Sequence, residues 1–216
     1  MKLYAIVGSP NSRKVLAVAD HLGIKLEIEY LDLFAGDART PQYMALNPNA
    51  MVPTLIDDDL KLWESNAIIQ YMADKSADNS LFPQELAQRA DIVRWQSWEL
   101  AHFNQAFGTL ALEAIAKPSF MDTQGDAAVI SWAKGQLSRF AKVLNEHMQG
   151  RTFLVGNNLT LADYSMIHVE FFKEAVPFDW APYPHLNQYF ERMRQSDHWL
   201  ASAPQGPEAI GRKIAN

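Results

Sequence analysis

The sequence predicts an α/β domain with a mixed sheet, in βαβ then ββα order, followed by an all-α helical domain. Three observations predict it. Before residue 76, short apolar or alternating runs of strand length interleave with segments of helical periodicity. The stretch Ser76-Ala77-Asp78-Asn79-Ser80-Leu81-Phe82-Pro83 is short, polar and closed by proline, as a linker is. Beyond it the apolar residues recur at the three-and-four spacing of helices. The expected domains are residues 1–78 and 86–216.

Taken in order, the apolar run Leu3-Tyr4-Ala5-Ile6-Val7 reads as a strand. Val15, Leu16, Val18, Ala19 and Leu22 then fall at helical spacing, stopped by Gly23. Leu26-Glu27-Ile28-Glu29-Tyr30-Leu31 alternates as a strand does, and a loop with Gly36 and Pro41 leads to a short turn at Tyr43-Met44-Ala45-Leu46. Val52-Pro53-Thr54-Leu55-Ile56 and Leu60-Lys61-Leu62-Trp63 flank the acidic turn Asp57-Asp58-Asp59, a hairpin pattern, and residues 65–75 are helical. In the second domain the helical stretches run over 85–115, with Ile92, Trp95, Trp98, Leu100, Phe103 and Phe107 on its apolar stripe, and over about 126–148, 161–175 and 186–196.

Composition narrows the function. A chain of 216 residues with 48% hydrophobic content can bury a full core. It has no apolar run of membrane-spanning length and no signal-peptide succession at its start, so a soluble cytoplasmic protein with no membrane partner is expected. A net charge of −6 without clustered Lys and Arg argues against nucleic acid as a partner. There is no cysteine, so the chain supplies no thiolate of its own, as nucleophile or as metal ligand, and the six histidines have no tight ligand spacing. No metal is expected, and thiol chemistry would have to come from a ligand.

Two junctions carry candidate chemistry. Ser9-Pro10-Asn11-Ser12-Arg13-Lys14-Val15 puts hydroxyls where a strand hands over to a helix. There the unpaired N–H groups and positive dipole end suit an anion or thiolate, although Ser9 also reads as a plain N-cap. Glu64-Ser65 stands at a second strand-to-helix turn, able to meet an ammonium through Glu64 and a carboxylate through Ser65, or simply to open a helix. Pro53 alone reads as an ordinary trans proline opening a strand. Leu159-Thr160-Leu161-Ala162-Asp163 has the spacing of a capping box with a staple, so Asp163 is structural and not a catalytic acid.

The order of these pieces resembles the cytosolic glutathione transferase family over the whole chain. The likeness is carried by Ser9 to Val15, Asn47-Pro48-Asn49-Ala50-Met51-Val52-Pro53, Trp63-Glu64-Ser65-Asn66-Ala67-Ile68 and Leu159-Thr160-Leu161-Ala162-Asp163. The resemblance implies a thioredoxin-like first domain and the conjugation of glutathione, as co-substrate and not as a cofactor, to small hydrophobic electrophiles. It implies a cis Val52-Pro53 bond whose preceding residue pairs with the glutathione backbone, and glutathione contacts from Ser9, Asn11, Arg39, Met51, Val52, Pro53, Glu64 and Ser65. Arg39 would lie toward the glycine carboxylate. Ser9, four residues before Arg13 as in theta-, phi- and tau-like members, would be the catalytic hydroxyl, with Asn11 or Ser12 as other donors to sulfur. Arg13 reads as structural and Tyr4 as core packing. The electrophile site would lie between the domains, with His102, Phe103 and Phe107. A homodimer is also implied. A bacterial class, the nu class, with Thr-Pro-Asn in this loop is similar to Ser9-Pro10-Asn11 and favours disulfide reduction; a glutathione-dependent reductase or peroxidase, or a non-catalytic binding module, are the rival readings.

Overall fold

The computed structural model describes residues 1–77, 80–204, 206 and 210–213. The chain divides into two units, Met1–Pro83 with Gln195–Asn216, and Gln84–Arg194.

The first unit holds a four-stranded mixed sheet in the order β2-β1-β3-β4. Strand β1 (Lys2–Ala5) is flanked on both sides, so its buried Leu3 and Ala5 form an apolar run. It pairs parallel with β2 (Glu27–Tyr30), Leu3 opposite Ile28, and antiparallel with β3 (Thr54–Asp57), Leu3 opposite Leu55. The hairpin partner of β3 is β4 (Leu60–Trp63). β2 is an edge, and its alternating Glu27 and Glu29 pair with Lys2 at 3.6 and 2.6 Å, a charged border that discourages further pairing. The crossover is α1 (Pro10–His21), whose Val15 and Val18 are fully buried, and α3 (Ser65–Lys75) brings Ile68, Ile69 and Met72 to the same core. Between β2 and β3 lie one 3-10 turn (Asp37–Arg39) and α2 (Pro41–Met44), capped by the Thr40 hydroxyl. The expected strand over residues 3–7 ends at Ala5 because the chain turns at Val7-Gly8 to enter α1.

The last segment packs on this unit, whereas the sequence places it with the helices. Arg13 helps hold it there: its Nη2 donates to Trp199 O at 2.9 Å, its Nε to Ser202 Oγ at 3.3 Å, and its guanidinium stacks 3.9 Å from the Trp199 ring. Trp199, on α11 (Asp197–Ala201), is fully buried beneath that cation–π contact.

The second unit is all-helical. Glu85 caps α4 (Leu86–Trp98), accepting from Ala87 N and Gln88 N. The expected helical stretch over 85–115 is an unbroken path, yet two five-residue pieces, Glu99–Phe103 and Leu112–Ala116, widen to π geometry on either side of α5 (Asn104–Ala111), before α6 (Lys117–Phe120). Each inserted residue rotates the buried stripe, which period counting does not register. Asp126 caps α7 (Ala127–His147), which buries Ala133, Leu137, Ala141 and Leu144 at spacings of four, four and three. The stretch expected over 161–175 divides into α8 (Leu161–Ile167) and α9 (Glu170–Lys173), and α10 (Pro184–Arg194) closes the unit.

The Asp163 carboxylate accepts from Thr160 N and Oγ at 2.9 and 3.1 Å, Leu154 N at 2.9 Å and the Tyr189 hydroxyl at 3.2 Å, tying the α8 entrance to the preceding loop and to α10. Complete burial pushes its pKa up to about 6 even though all four donors pull the other way. Among the described residues no group of three or more His, Asp or Glu side chains could hold a metal ion, and no helix is long and apolar enough to cross a membrane.

Candidate functional site

The turn after β1 shapes the first candidate. Ser9 is the N-cap of α1, with extended backbone, and its Oγ accepts the Ser12 N–H at 3.3 Å. Pro10 follows at the first helical position, where a missing N–H leaves nothing unpaired. The turn is pinned by Ser9 N–H to Ile6 O (3.0 Å) and Gly211 N–H to Val7 O (2.8 Å). Gly8 has φ +80°, and a Cβ there would stand 2.7 Å from Ile210 Cγ2, so both the left-handed backbone and the lack of room require glycine. A hydroxyl has two lone pairs and one proton. Since Ser9 Oγ takes the Ser12 N–H on a lone pair, its proton can be donated out of the turn while the cap stays intact.

Of the three side chains the sequence leaves open as donors to a sulfur, Ser12 is turned inward: it is 1% exposed and its Oγ accepts from Ile6 N–H at 3.4 Å. Ser9 and Asn11 are half-buried at the helix entrance. Tyr4 packs edge-on against Tyr43, with ring centroids 5.6 Å apart.

Met51-Val52-Pro53 is positioned by a polar knot. The Tyr43 hydroxyl donates to Met51 O at 2.5 Å and meets Thr54 Oγ1 at 2.8 Å, and Asn47 Nδ2 donates to Met51 O (2.9 Å) and Thr54 Oγ1 (3.1 Å). Burial raises the Tyr43 pKa, so the phenol keeps its proton. The turn itself is closed by Asn49 N–H and Nδ2 donating to Asn47 Oδ1. The Val52-Pro53 peptide is cis. With Met51 O engaged inside the knot, no hydrogen bond among the described residues uses the Val52 N–H or C=O.

Glu64 and Ser65 open α3. Glu64 has φ 72° and ψ 111°, its side chain is exposed, and no side chain caps the helix. Ser65, 6% exposed, accepts from Lys14 Nζ at 3.1 Å and donates to Asn11 Oδ1 at 3.1 Å. Asn11 is the second residue of α1 and Ser65 the first of α3, so their bond brings two helix N-termini together. The α3 end has no side-chain cap, and the N–H groups and positive dipole end of such a helix start favour an anion. Arg39 ends the 3-10 turn before α2 with its side chain exposed.

The residues expected to line an acceptor site are placed differently from one another. Phe103 is fully buried and stacks on Trp98, and Phe107 is 4% exposed with its ring 6.4 Å from that of Trp180, so both fill the interior of the helical unit. His102 is exposed and stacks on Phe140.

Lys14 belongs with Ser65 and Asn66 although no local motif marks it. Its side chain is fully buried, donating to Ser65 Oγ and to Asn66 Oδ1 at 2.9 Å. Its spacing is the signal: Lys14 stands three and four residues before Ala17 and Val18, on the buried face of α1, where a cation needs a polar partner. Tyr43, expected only as part of a short turn, likewise holds Met51 from behind together with Asn47.

The fold has counterparts among known proteins. Residues 1–74 match the model of the glutathione S-transferase N-terminal domain, and residues 105–197 that of the C-terminal domain. The chain is 34% identical over 165 residues to glutathione S-transferase 3 of Zea mays, covering 76% of this chain and 73% of that one. It is 28% identical over 194 residues to elongation factor 1-gamma 2 of Oryza sativa subsp. japonica, covering 88% of this chain but only 45% of that protein, so it spans about half of the relative's length. Among solved structures, the theta class glutathione S-transferase of Xanthomonas axonopodis pv. citri with glutathione bound is 28% identical, with TM-score 0.84, covering 95% of this chain and 97% of the other.

Proposed function

We propose that this chain, which belongs to the glutathione S-transferase family, binds glutathione on its α/β unit, stabilises the bound thiolate through the Ser9 hydroxyl, and joins that sulfur to a small apolar electrophile. The observation that carries this reading is the meeting of the α1 and α3 N-termini at the Asn11–Ser65 bond, with Ser9 on the same turn as Asn11.

In this reading Ser65 and the first N–H groups of α3 take the γ-glutamyl carboxylate, and Glu64 takes its ammonium. The Val52 peptide pairs with the cysteinyl backbone in the manner of an added strand, with Met51 and Pro53 beside it. Arg39 faces the glycine carboxylate. The thiol proton leaves to water, the sulfur electron pair forms a bond to the acceptor carbon, and the leaving group departs with the pair from the bond that breaks. The enzyme contributes orientation and thiolate stabilisation and forms no covalent intermediate. Of the three residues expected at the acceptor, His102 has surface to offer. We place the protein in the cytoplasm, where glutathione is kept reduced, as a homodimer.

Two features favour other outcomes. The Ser9-Pro10-Asn11 loop suits disulfide reduction or peroxide turnover, and the elongation factor relative suits a binding module without turnover. One experiment separates them: purified protein with glutathione and, in parallel, a chlorinated aromatic acceptor, a mixed disulfide and a hydroperoxide. Conjugation exceeding the other two rates is the expected result. The reverse order replaces transferase with reductase or peroxidase, and calorimetric uptake of glutathione with no turnover in any arm selects the binding module.

A further inference from the structure

The buried lysine of α1 has no part in the contacts assigned above, yet its ammonium lies directly behind one of them. Lys14 Nζ is 3.1 Å from Ser65 Oγ and 2.9 Å from Asn66 Oδ1, with no exposed surface on the side chain. An ammonium only donates, so one lone pair of Ser65 Oγ is committed to Lys14. The single Ser65 proton is directed at Asn11 Oδ1, 3.1 Å away. A carboxylate only accepts, and it can engage this hydroxyl through that proton alone.

We infer that Lys14 is a positioning residue that sets the direction of the Ser65 hydroxyl, and that an arriving carboxylate takes the Ser65 proton from Asn11, releasing the Asn11 side chain to turn its amide donors toward the sulfur held near Ser9. This rests on the glutathione reading above and deepens it: occupancy of the carboxylate end and stabilisation of the thiolate end are linked through one exchanged hydrogen bond. Asn11 lies one residue beyond Pro10 on the turn that Ser9 caps, so its released amide is on the same helix entrance as the catalytic hydroxyl. The exchange conserves bonds. Ser65 keeps its acceptance from Lys14 throughout and trades Asn11 for the ligand.

The linkage gives the two ends opposite responses to one substitution. Asn11→Ala removes the competitor for the Ser65 proton, so at a pH below the thiol titration, where no thiolate contact is lost, glutathione binds as tightly as to the wild type or more tightly. The same change removes a donor from the sulfur, so the pKa of the bound thiol, read from the ultraviolet thiolate band against pH, rises by about one unit. Lys14→Met leaves the Ser65 hydroxyl undirected and weakens glutathione binding about tenfold or more by calorimetry, the loss expected of a hydrogen bond to a charged group. It also narrows the preference for glutathione over its analogue with the γ-glutamyl α-carboxylate converted to a primary amide, which damage to the fold alone would not do. If Lys14→Met does not fold, Asn11→Ala still decides. Weakened glutathione binding in Asn11→Ala with an unmoved thiol titration overturns the inference while leaving glutathione binding intact. A wild-type protein that takes up no glutathione overturns the functional reading itself.

Discussion

Removal of the Ser9 hydroxyl separates its two roles. Oγ accepts the Ser12 N–H at 3.3 Å, toward the long end of the range, so the cap contributes about 1 kcal/mol and its loss in Ser9→Ala lowers Tm by roughly 2–4 °C. The outward proton is worth more. A hydrogen bond to a charged group contributes about 1.5–3 kcal/mol, which is about one to two pKa units on the bound thiol. A free thiol titrates near pH 8.5, and lowering that by about two units takes about 2.7 kcal/mol, within reach of one such bond together with the α1 dipole. Ser9→Ala is therefore expected to bind glutathione within a few fold of wild type but to turn over about tenfold more slowly at pH 7, with the deficit shrinking as pH rises past the new thiol pKa. Ser9→Gly isolates the chemistry, because glycine at an N-cap costs only a few tenths of a kcal/mol. It should match the alanine variant in turnover and approach the wild type in Tm. The assay is kcat/KM against pH for the three proteins, beside the thiolate band. A Ser9→Ala profile that superimposes on the wild type refutes the assignment and moves the donor to Asn11.

Two further outcomes follow from the packing. The pKa of Asp163 is pushed up to about 6, so the fold binds that proton more tightly than the unfolded chain does; its stabilising effect is complete below about pH 4 and is lost as pH rises through 6. In urea titrations the stability gap between wild type and Asp163→Asn should accordingly widen by about 2 kcal/mol from pH 7 to pH 4.5, and a gap that narrows instead would mean that the four donors outweigh burial. Arg13→Met removes two hydrogen bonds and a cation–π contact, about 2–4 kcal/mol, so amide exchange in α11 should speed up by thirtyfold or more. A shifted thiol titration with unchanged α11 exchange would instead make Arg13 an electrostatic partner of the sulfur.

Much of the architecture was legible because its cues are local. Ser65 to Lys75 is helical with the bounds read from its periodicity, and α7 lies one residue inside its expected ends because Asp126 spends itself as a cap. The Asp57-Asp58-Asp59 turn does join two antiparallel strands, and Asp163 reaches back to Thr160 as the capping-box spacing requires. What escaped was the facing of side chains. Phe103 and Phe107 lie on a helical stripe that period alone cannot assign to core or cleft, and the π-widened turn ending at Phe103 changes that stripe's phase.

The sequence by itself determined the order of elements, their caps and breaks, the thiol-free chemistry and the family, since each depends on residues within a few positions of one another or on composition. The tertiary structure alone decided that Ser12 turns inward while Ser9 and Asn11 stay accessible, that Lys14 is buried beneath Ser65, and that Trp199 returns to α1. The last two outcomes join residues about 50 to 190 positions apart, such as Lys14 to Ser65 and Arg13 to Ser202, and such partners are chosen by packing and by the need of buried polar groups for one another, which no local pattern encodes.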